Sequence, residues 1–225
     1  MRIVYFDCKN GISGDMAFGA LKSLLDDEDE SIFFGLEKLE FSETCHSGHF
    51  HVSYSEIKNL INGSGISENA KKKALSIYSV IAKAEASVHG TSVSEVHFHE
   101  VGRIEAVKNI VGAAVCADAL KIGAIYCSEI HDGKGFVDCS HGTIPVPVPA
   151  VMAMRVECGL KFVDDENIKT EMVTPSGLGI LLGLSASYSG GIPAGEILKK
   201  SVVFGKRETG KKNGLSVYLI EPEAG

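Results

Sequence analysis

An unbroken apolar run at residues 3–6 (Ile3, Val4, Tyr5, Phe6) predicts a short buried strand, since a run of that length fits a strand covered on both faces. The period then changes. Across residues 17–25, Phe18, Leu21 and Leu25 share one stripe, which predicts an amphipathic helix. The same spacing returns after Ser67, a good N-cap: Ala74, Ile77, Ile81, Ala84 and Val88 form one face and Gly90 stops the helix. Ile104, Val107, Val111, Ala114 and Leu120 mark a further helix, closed near Gly123. A strand-like stretch at 124–127 and a helical one at 149–157 follow. Thr174, as N-cap with Pro175 at the first helical position, opens a helix over 176–184. Residues 197–204 and 215–220 read as two strands of a hairpin. The expected fold is therefore α/β or α+β, a short mixed sheet with at least four helices and a C-terminal β-hairpin, and not a helical bundle. No fixed-period repeat is present.

Three stretches between these elements are irregular. Residues 7–15 (Asp7, Cys8, Lys9, Asn10, Gly11, Ile12, Ser13, Gly14, Asp15) link a strand end to a helix start. Such a turn either presents backbone N–H groups to an anion or is a tight turn whose Ser13 or Asp15 caps the helix. It is neither a Walker loop nor a dinucleotide fingerprint. Residues 26–66 are acidic and then carry His46, His49 and His51 in a Ser/Gly-rich setting, as expected of a flexible insertion. Residues 133–149, with Gly133, Gly135, His141, Gly142 and three alternating prolines, predict a long irregular loop of the kind that carries function.

Composition narrows the function classes. With 225 residues and 44% hydrophobic content the chain buries a real core, expected as a single domain over 1–225. A formal charge of -7 excludes a general nucleic-acid binder. No apolar run is long enough for a membrane span, and the N-terminus lacks a signal-peptide layout, so the cytoplasm is the expected location. Six scattered cysteines without a C-x-x-C pair point to reduced thiols, with Cys116 in the core. Lys206, Arg207, Lys211 and Lys212 form a dense basic cluster, either an anion clamp or a solvated turn.

The strongest chemical signal is His97-Phe98-His99-Glu100. In an extended segment the side chains at i and i+2 share a face, so His97 and His99 would reach one ion with Phe98 packed behind. Imidazole and carboxylate suit a borderline transition metal; the plainer reading is of histidines bonded to backbone on a half-buried strand.

Asp7, Gly11 to Met16, Val96 to Gly102, Ile110 to Ala114, His141-Gly142 with Pro145, Pro147 and Pro149, and Val173 to Gly177 resemble, in that order, the nickel insertion protein LarC family. The resemblance spans nearly the whole chain. It implies Ni(II) insertion into pyridinium-3,5-bisthiocarboxylic acid mononucleotide, the pincer-nucleotide precursor, giving the nickel-pincer cofactor of lactate racemase with a nickel–carbon bond between two nickel–sulfur bonds. That is a CTP-dependent lyase-class reaction. By the same resemblance His97, His99, Glu100 and Asp7 are the expected metal ligands and Glu100 and Asp15 the expected catalytic carboxylates. Gly11, Ser13, Gly14, His141, Thr174, Ser176 and Gly177 are expected to hold the substrate's phosphate. The dense histidine run of the family is not matched, and Glu105 and Asn109 stand where it usually has aspartates. The family's C-terminal CTP-binding domain, with its divalent cation, is expected to be absent from this chain, which would be the metal and substrate half. Expected partners are a C-terminal LarC-like domain or chain, a lactate racemase-type apoenzyme and a second copy of the chain. A non-catalytic nickel carrier and a metal-dependent hydrolase are the competing readings.

Overall fold

The computed structural model describes residues 1–26, 31–41, 51–140, 142–156, 158–209 and 214–223. Along the chain the elements are β1 (Arg2–Asp7), α1 (Gly14–Lys22), α2 (Phe34–Glu37), β2 (Val52–Ser53), α3 (Tyr54–Gly63), α4 (Glu68–His89), β3 (His97–Phe98) and α5 (Ile104–Ala119). Then come β4 (Ile122–Cys127), β5 (Ile130–Asp132), β6 (Gly135–Cys139), β7 (Gly142–Val146), α6 (Pro149–Arg155) and β8 (Phe162–Asp164). The last are α7 (Pro175–Gly183), β9 (Ser187–Tyr188), β10 (Glu196–Val203) and β11 (Leu215–Glu221). Among the described residues no helix is long and apolar enough to cross a membrane.

The main sheet has five strands in the order β10-β11-β1-β4-β9 and is mixed. β1 runs antiparallel to β11, with Tyr5 opposite Tyr218, and parallel to β4, with Tyr5 opposite Tyr126. Its central place explains its unbroken apolar run: Val4 and Phe6 are fully buried and Tyr5 nearly so. The expected hairpin is β10 paired antiparallel with β11. α1 packs on α5 and against β10 and β11, while α4 lies on α5, α6 and α7.

The long helices start and stop where the sequence indicates. Ser67 Oγ accepts from Ala70 N at 3.0 Å, and Gly90 ends α4 in the left-handed region at φ 63°. Ala74, Ile77, Ile81 and Ala84 are buried, but Val88 is 40% exposed and leaves the core stripe. In α5 Cys116 is buried as expected. That helix closes at Leu120 and Lys121, the latter at φ 52°, and Gly123 falls inside β4.

Other expectations need correction. α1 begins at Gly14, three residues early; Ser13 holds the expected N-cap position, but its side chain makes no capping bond, because Ser13 Oγ donates to Asp15 Oδ1, which also accepts from Met16 N at 3.0 Å. The stretch expected as a flexible insertion contains β2 and α3, whose Ile57 and Ile61 are fully buried. A reciprocal cap starts α3, with Ser53 N donating to Glu56 Oε2 at 2.7 Å and Glu56 N to Ser53 Oγ at 3.2 Å. The long loop expected at 133–149 is instead the β6–β7 hairpin, Gly135 opposite Val146 and Phe136 opposite Pro145. A two-stranded ribbon is all edge, so a proline's missing N–H breaks no ladder on its outer side.

Candidate functional site

Several local contacts fix the His97 to Gly102 segment. Phe98 is buried, with its ring 6.0 Å from that of Tyr54 and 5.7 Å from that of Tyr78. Tyr78 Oη donates to the carbonyl of Val101 at 3.0 Å, tying the 3₁₀ turn at Glu100–Gly102 to α4. A Cβ at Gly102 would stand 3.0 Å from that of Phe98, so the turn sits close against the strand before it. β2 pairs with β3, Val52 opposite Phe98, and that register brings His51 to His99 with ring centroids 4.3 Å apart.

The strand ends at Phe98, and His99 has φ -96° and ψ -90°, so the shared-face rule stops short of it. His97 is exposed, its Nδ1 2.9 Å from the carbonyl oxygen of Glu95. His99 and Glu100 turn instead into a cavity of about 550 Å³. Its walls are the end of α4 (Glu85, Val88, His89), Arg103 before α5, the β6–β7 hairpin, and the starts of α6 and α7. Glu100 is held by that hairpin's turn: its Oε1 accepts from Ser140 N at 2.7 Å and from Ser140 Oγ. Charge-assisted bonds of this kind orient a carboxylate firmly.

A smaller cavity of about 340 Å³ adjoins the first, sharing Glu171, Thr174 and Arg207 with it. Asn10, Ser13, Asp15, Lys206 and Thr209 add to its polar wall. Lys206 Nζ lies 3.5 Å from Asp15 Oδ2. Glu171, on the partition, is 6% exposed and accepts from Arg207 Nη2 at 2.8 Å. Burial pushes the Glu171 carboxyl up to about 7; the Arg207 guanidinium pulls it down, and the negative charges of Asp132 and Glu100 raise it. Nothing in the sequence marked Glu171 beyond its position just before the Thr174 cap, whereas Arg207 belonged to the basic cluster.

The remaining expected site residues have other surroundings. Asp7 lies at the end of β1, accepts from Lys9 N at 3.4 Å and lines neither cavity. Gly11 and Gly177 allow two backbones to meet: a Cβ at Gly11 would come within 2.3 Å of the Met172 carbonyl oxygen, and one at Gly177 within 2.4 Å of that of Ile12. Between them Ile12 N donates to Met172 O at 2.9 Å and Thr174 N to Ile12 O at 3.1 Å. The N–H of Gly11 is likewise taken, by Cys8 O at 3.0 Å. Gly14 abuts Ser176, whose Oγ a Cβ would approach to 2.7 Å. The turn therefore joins two segments, with its first N–H groups already bonded. Thr174 caps α7, its Oγ1 accepting from Gly177 N at 3.1 Å, and Ser176 Oγ lies 3.0 Å from Thr174 Oγ1. His141, Cys45, His46, His49, Lys211 and Lys212 lie outside the described residues.

Among the described residues no three His, Cys, Asp or Glu side chains are grouped to hold a metal unaided. His99 and Glu100 offer one imidazole and one carboxylate to the larger cavity, a pair to which a ligand's own donors would have to be added. The described cysteines are free thiols; Cys8, Cys116 and Cys127 are buried, which pushes the last two up to about 12.

Residues 35–225 match the family model described as nickel insertion protein. The chain is 40% identical over 247 residues to the pyridinium-3,5-bisthiocarboxylic acid mononucleotide nickel insertion protein of Acetivibrio thermocellus, covering 97% of this chain and 60% of that one. Proteins of the same description from Lactiplantibacillus plantarum and Alkaliphilus metalliredigens are 34% and 33% identical, covering 98% and 97% of this chain and 62% and 60% of theirs. The chain thus spans about 60% of the length of these curated relatives. No solved structure matches it.

Proposed function

The chain belongs to the nickel insertion protein family, and from that premise we propose that it holds nickel and the pincer-nucleotide precursor during insertion of the metal. The substrate is pyridinium-3,5-bisthiocarboxylic acid mononucleotide and the product the nickel-pincer nucleotide. The observation that carries this reading is the pairing of His99 with a Glu100 fixed by Ser140 at the wall of one cavity. Nickel is cargo here, and two protein donors of nitrogen and oxygen hold it firmly enough to collect yet loosely enough to give up. The substrate's two thiocarboxylates supply the softer donors that draw it away.

Those thiocarboxylates stand at ring positions 3 and 5, so a metal gripped by both faces the carbon between them. Bonding nickel to that carbon releases one proton. Glu171 is the assigned acceptor, because a carboxyl held near 7 is matched to neutral pH, whereas Glu100 is occupied with Ser140 and the metal. Asp15 and Ser13 line the smaller cavity and are assigned to the nucleotide end. CTP with its divalent cation is assigned to the part of the relatives that this chain does not match, as is any surface for a lactate racemase-type apoenzyme.

Equilibrium dialysis against Ni(II) tests the metal assignment. His99→Ala combined with Glu100→Gln is expected to abolish binding and His97→Ala to leave it in place; unchanged stoichiometry in the double variant would sink the site. Supplying CTP, precursor and the remaining portion of a relative separates insertion from a pure carrier role, which would bind nickel and form no product.

A further inference from the structure

We propose that the smaller cavity is the phosphate subsite of the mononucleotide and that Arg207, anchored by Glu171 on the partition, is the cation that recognises it. This rests on the functional reading above, and it assigns the two ends of the substrate to the two cavities.

The argument begins with charge. The ligand carries two thiocarboxylates and a phosphate, while the chain has a formal charge of -7, so each anionic end needs a local counter-charge. At the thiocarboxylate end the nickel ion supplies it, and His99 and Glu100 place that end in the larger cavity. The phosphate must then find its cation in the protein. Among the described residues Arg207 is the one cation lining both cavities, and Lys206 beside it lines the smaller. Phosphate in the smaller cavity and ring in the larger puts Arg207 beside the junction between them. Both volumes, about 550 and 340 Å³, lie within the range in which small-molecule sites occur.

The anchoring is what distinguishes Arg207 from a loose surface cation. Its Nη2 donates to Glu171 at 2.8 Å, and that carboxylate is 6% exposed whereas the Arg207 side chain is 47% exposed. One edge of the guanidinium is thus fixed to a buried acceptor. Its remaining N–H groups keep the planar fork that suits two phosphate oxygens at once. Lys206, 89% exposed, has only a 3.5 Å approach to Asp15 to give up. Asn10 adds an amide whose Nδ2 gives one N–H to Gly214 O at 3.3 Å and keeps the other, while the Ser13 hydroxyl is already given to Asp15. Glu171 is a positioning residue for this purpose, acting through Arg207. Other charges facing Glu171 are those of Asp132 and Glu100, both negative, so Arg207 is the group that keeps the partition from repelling an anion.

Calorimetric titration with nicotinic acid mononucleotide, a pyridinium mononucleotide bearing one carboxylate, tests the assignment; nicotinic acid and CTP are titrated in parallel. Wild-type protein is expected to bind the mononucleotide and not nicotinic acid. Arg207→Ala should weaken that binding at least tenfold, Arg207→Lys less, and Arg207→Ala should also flatten its dependence on salt, which a merely structural role would not do. Glu171→Gln, with its fold checked by circular dichroism, should weaken binding severalfold. Mononucleotide binding that is equally tight in Arg207→Ala overturns the proposal, as does tighter, Arg207-dependent binding of CTP. Nickel dialysis on the same variants separates the two levels. Normal nickel binding with Arg207-independent mononucleotide binding removes only the subsite, whereas Arg207-dependent mononucleotide binding without nickel binding removes the functional reading and leaves a phosphate site. A wild type that binds no mononucleotide overturns the subsite.

Discussion

Glu171 joins burial, an ion pair and a place on the partition in one side chain. Its carboxyl titrates near 7 in the folded protein against an ordinary 4.5, so the native state holds a proton that the unfolded chain releases between those values. This stabilisation is fully present below pH 4.5 and is lost as pH rises toward 7. Glu171→Gln is expected to remove that slope, so that urea midpoints at pH 5 and pH 7.5 lie closer together than in wild type. Burial raises the Asp132 carboxyl as well, but there both oxygens are engaged. Its Oδ1 accepts from Gly133, Met172 and Val173 N–H groups and its Oδ2 from Arg155 Nη2 at 2.8 Å. Asp132→Ala would leave Arg155 with Asp164 as its one remaining ion-pair partner and would strand three N–H groups, and should cost about 3 kcal/mol or more in urea denaturation. Neither carboxylate was legible in the sequence, because an isolated acidic residue beside an apolar run reads the same whether it faces solvent or a buried partner. His99 and Glu100 were legible as chemistry but not as geometry. The i, i+2 rule that linked His97 to His99 needs an extended backbone through both, and the strand stops between them.

Among the elements, α4 and α7 meet through glycines. A Cβ at Gly183 would fall 2.3 Å from Ile77 Cα, a backbone atom that cannot yield, whereas one at Gly90 would meet nothing within 4 Å. Gly90→Ala is expected to cost about 1 kcal/mol, from the left-handed backbone alone. Gly183→Ala should cost more, since the two helices must part, and paired denaturation curves will rank them. Long helices were read correctly because their period and caps are local: Ser67, Gly90 and Thr174 each act on their own turn. The β6–β7 ribbon was missed because glycine and proline describe a loop equally well when no partner strand is known. α3 was missed although its cap is local. The reciprocal Ser53 and Glu56 pair ahead of Ile57 and Ile61 is a helix start, masked by the polar, histidine-bearing stretch in front of it.

At the scale of the molecule, β1 is threaded between β11 and β4, strands from distant parts of the chain. A sequence of apolar runs gives strands but not their order, since hydrogen-bonding edges carry no side-chain label. The consequence concerns synthesis. β1 leaves the ribosome well before its antiparallel neighbour Leu215–Glu221, so one edge of β1 waits uncovered while everything between is made. A chain stopped at residue 214 is therefore expected to accumulate as aggregates, and the soluble fraction of this length and of residues 1–225, expressed side by side, measures how much β11 closes.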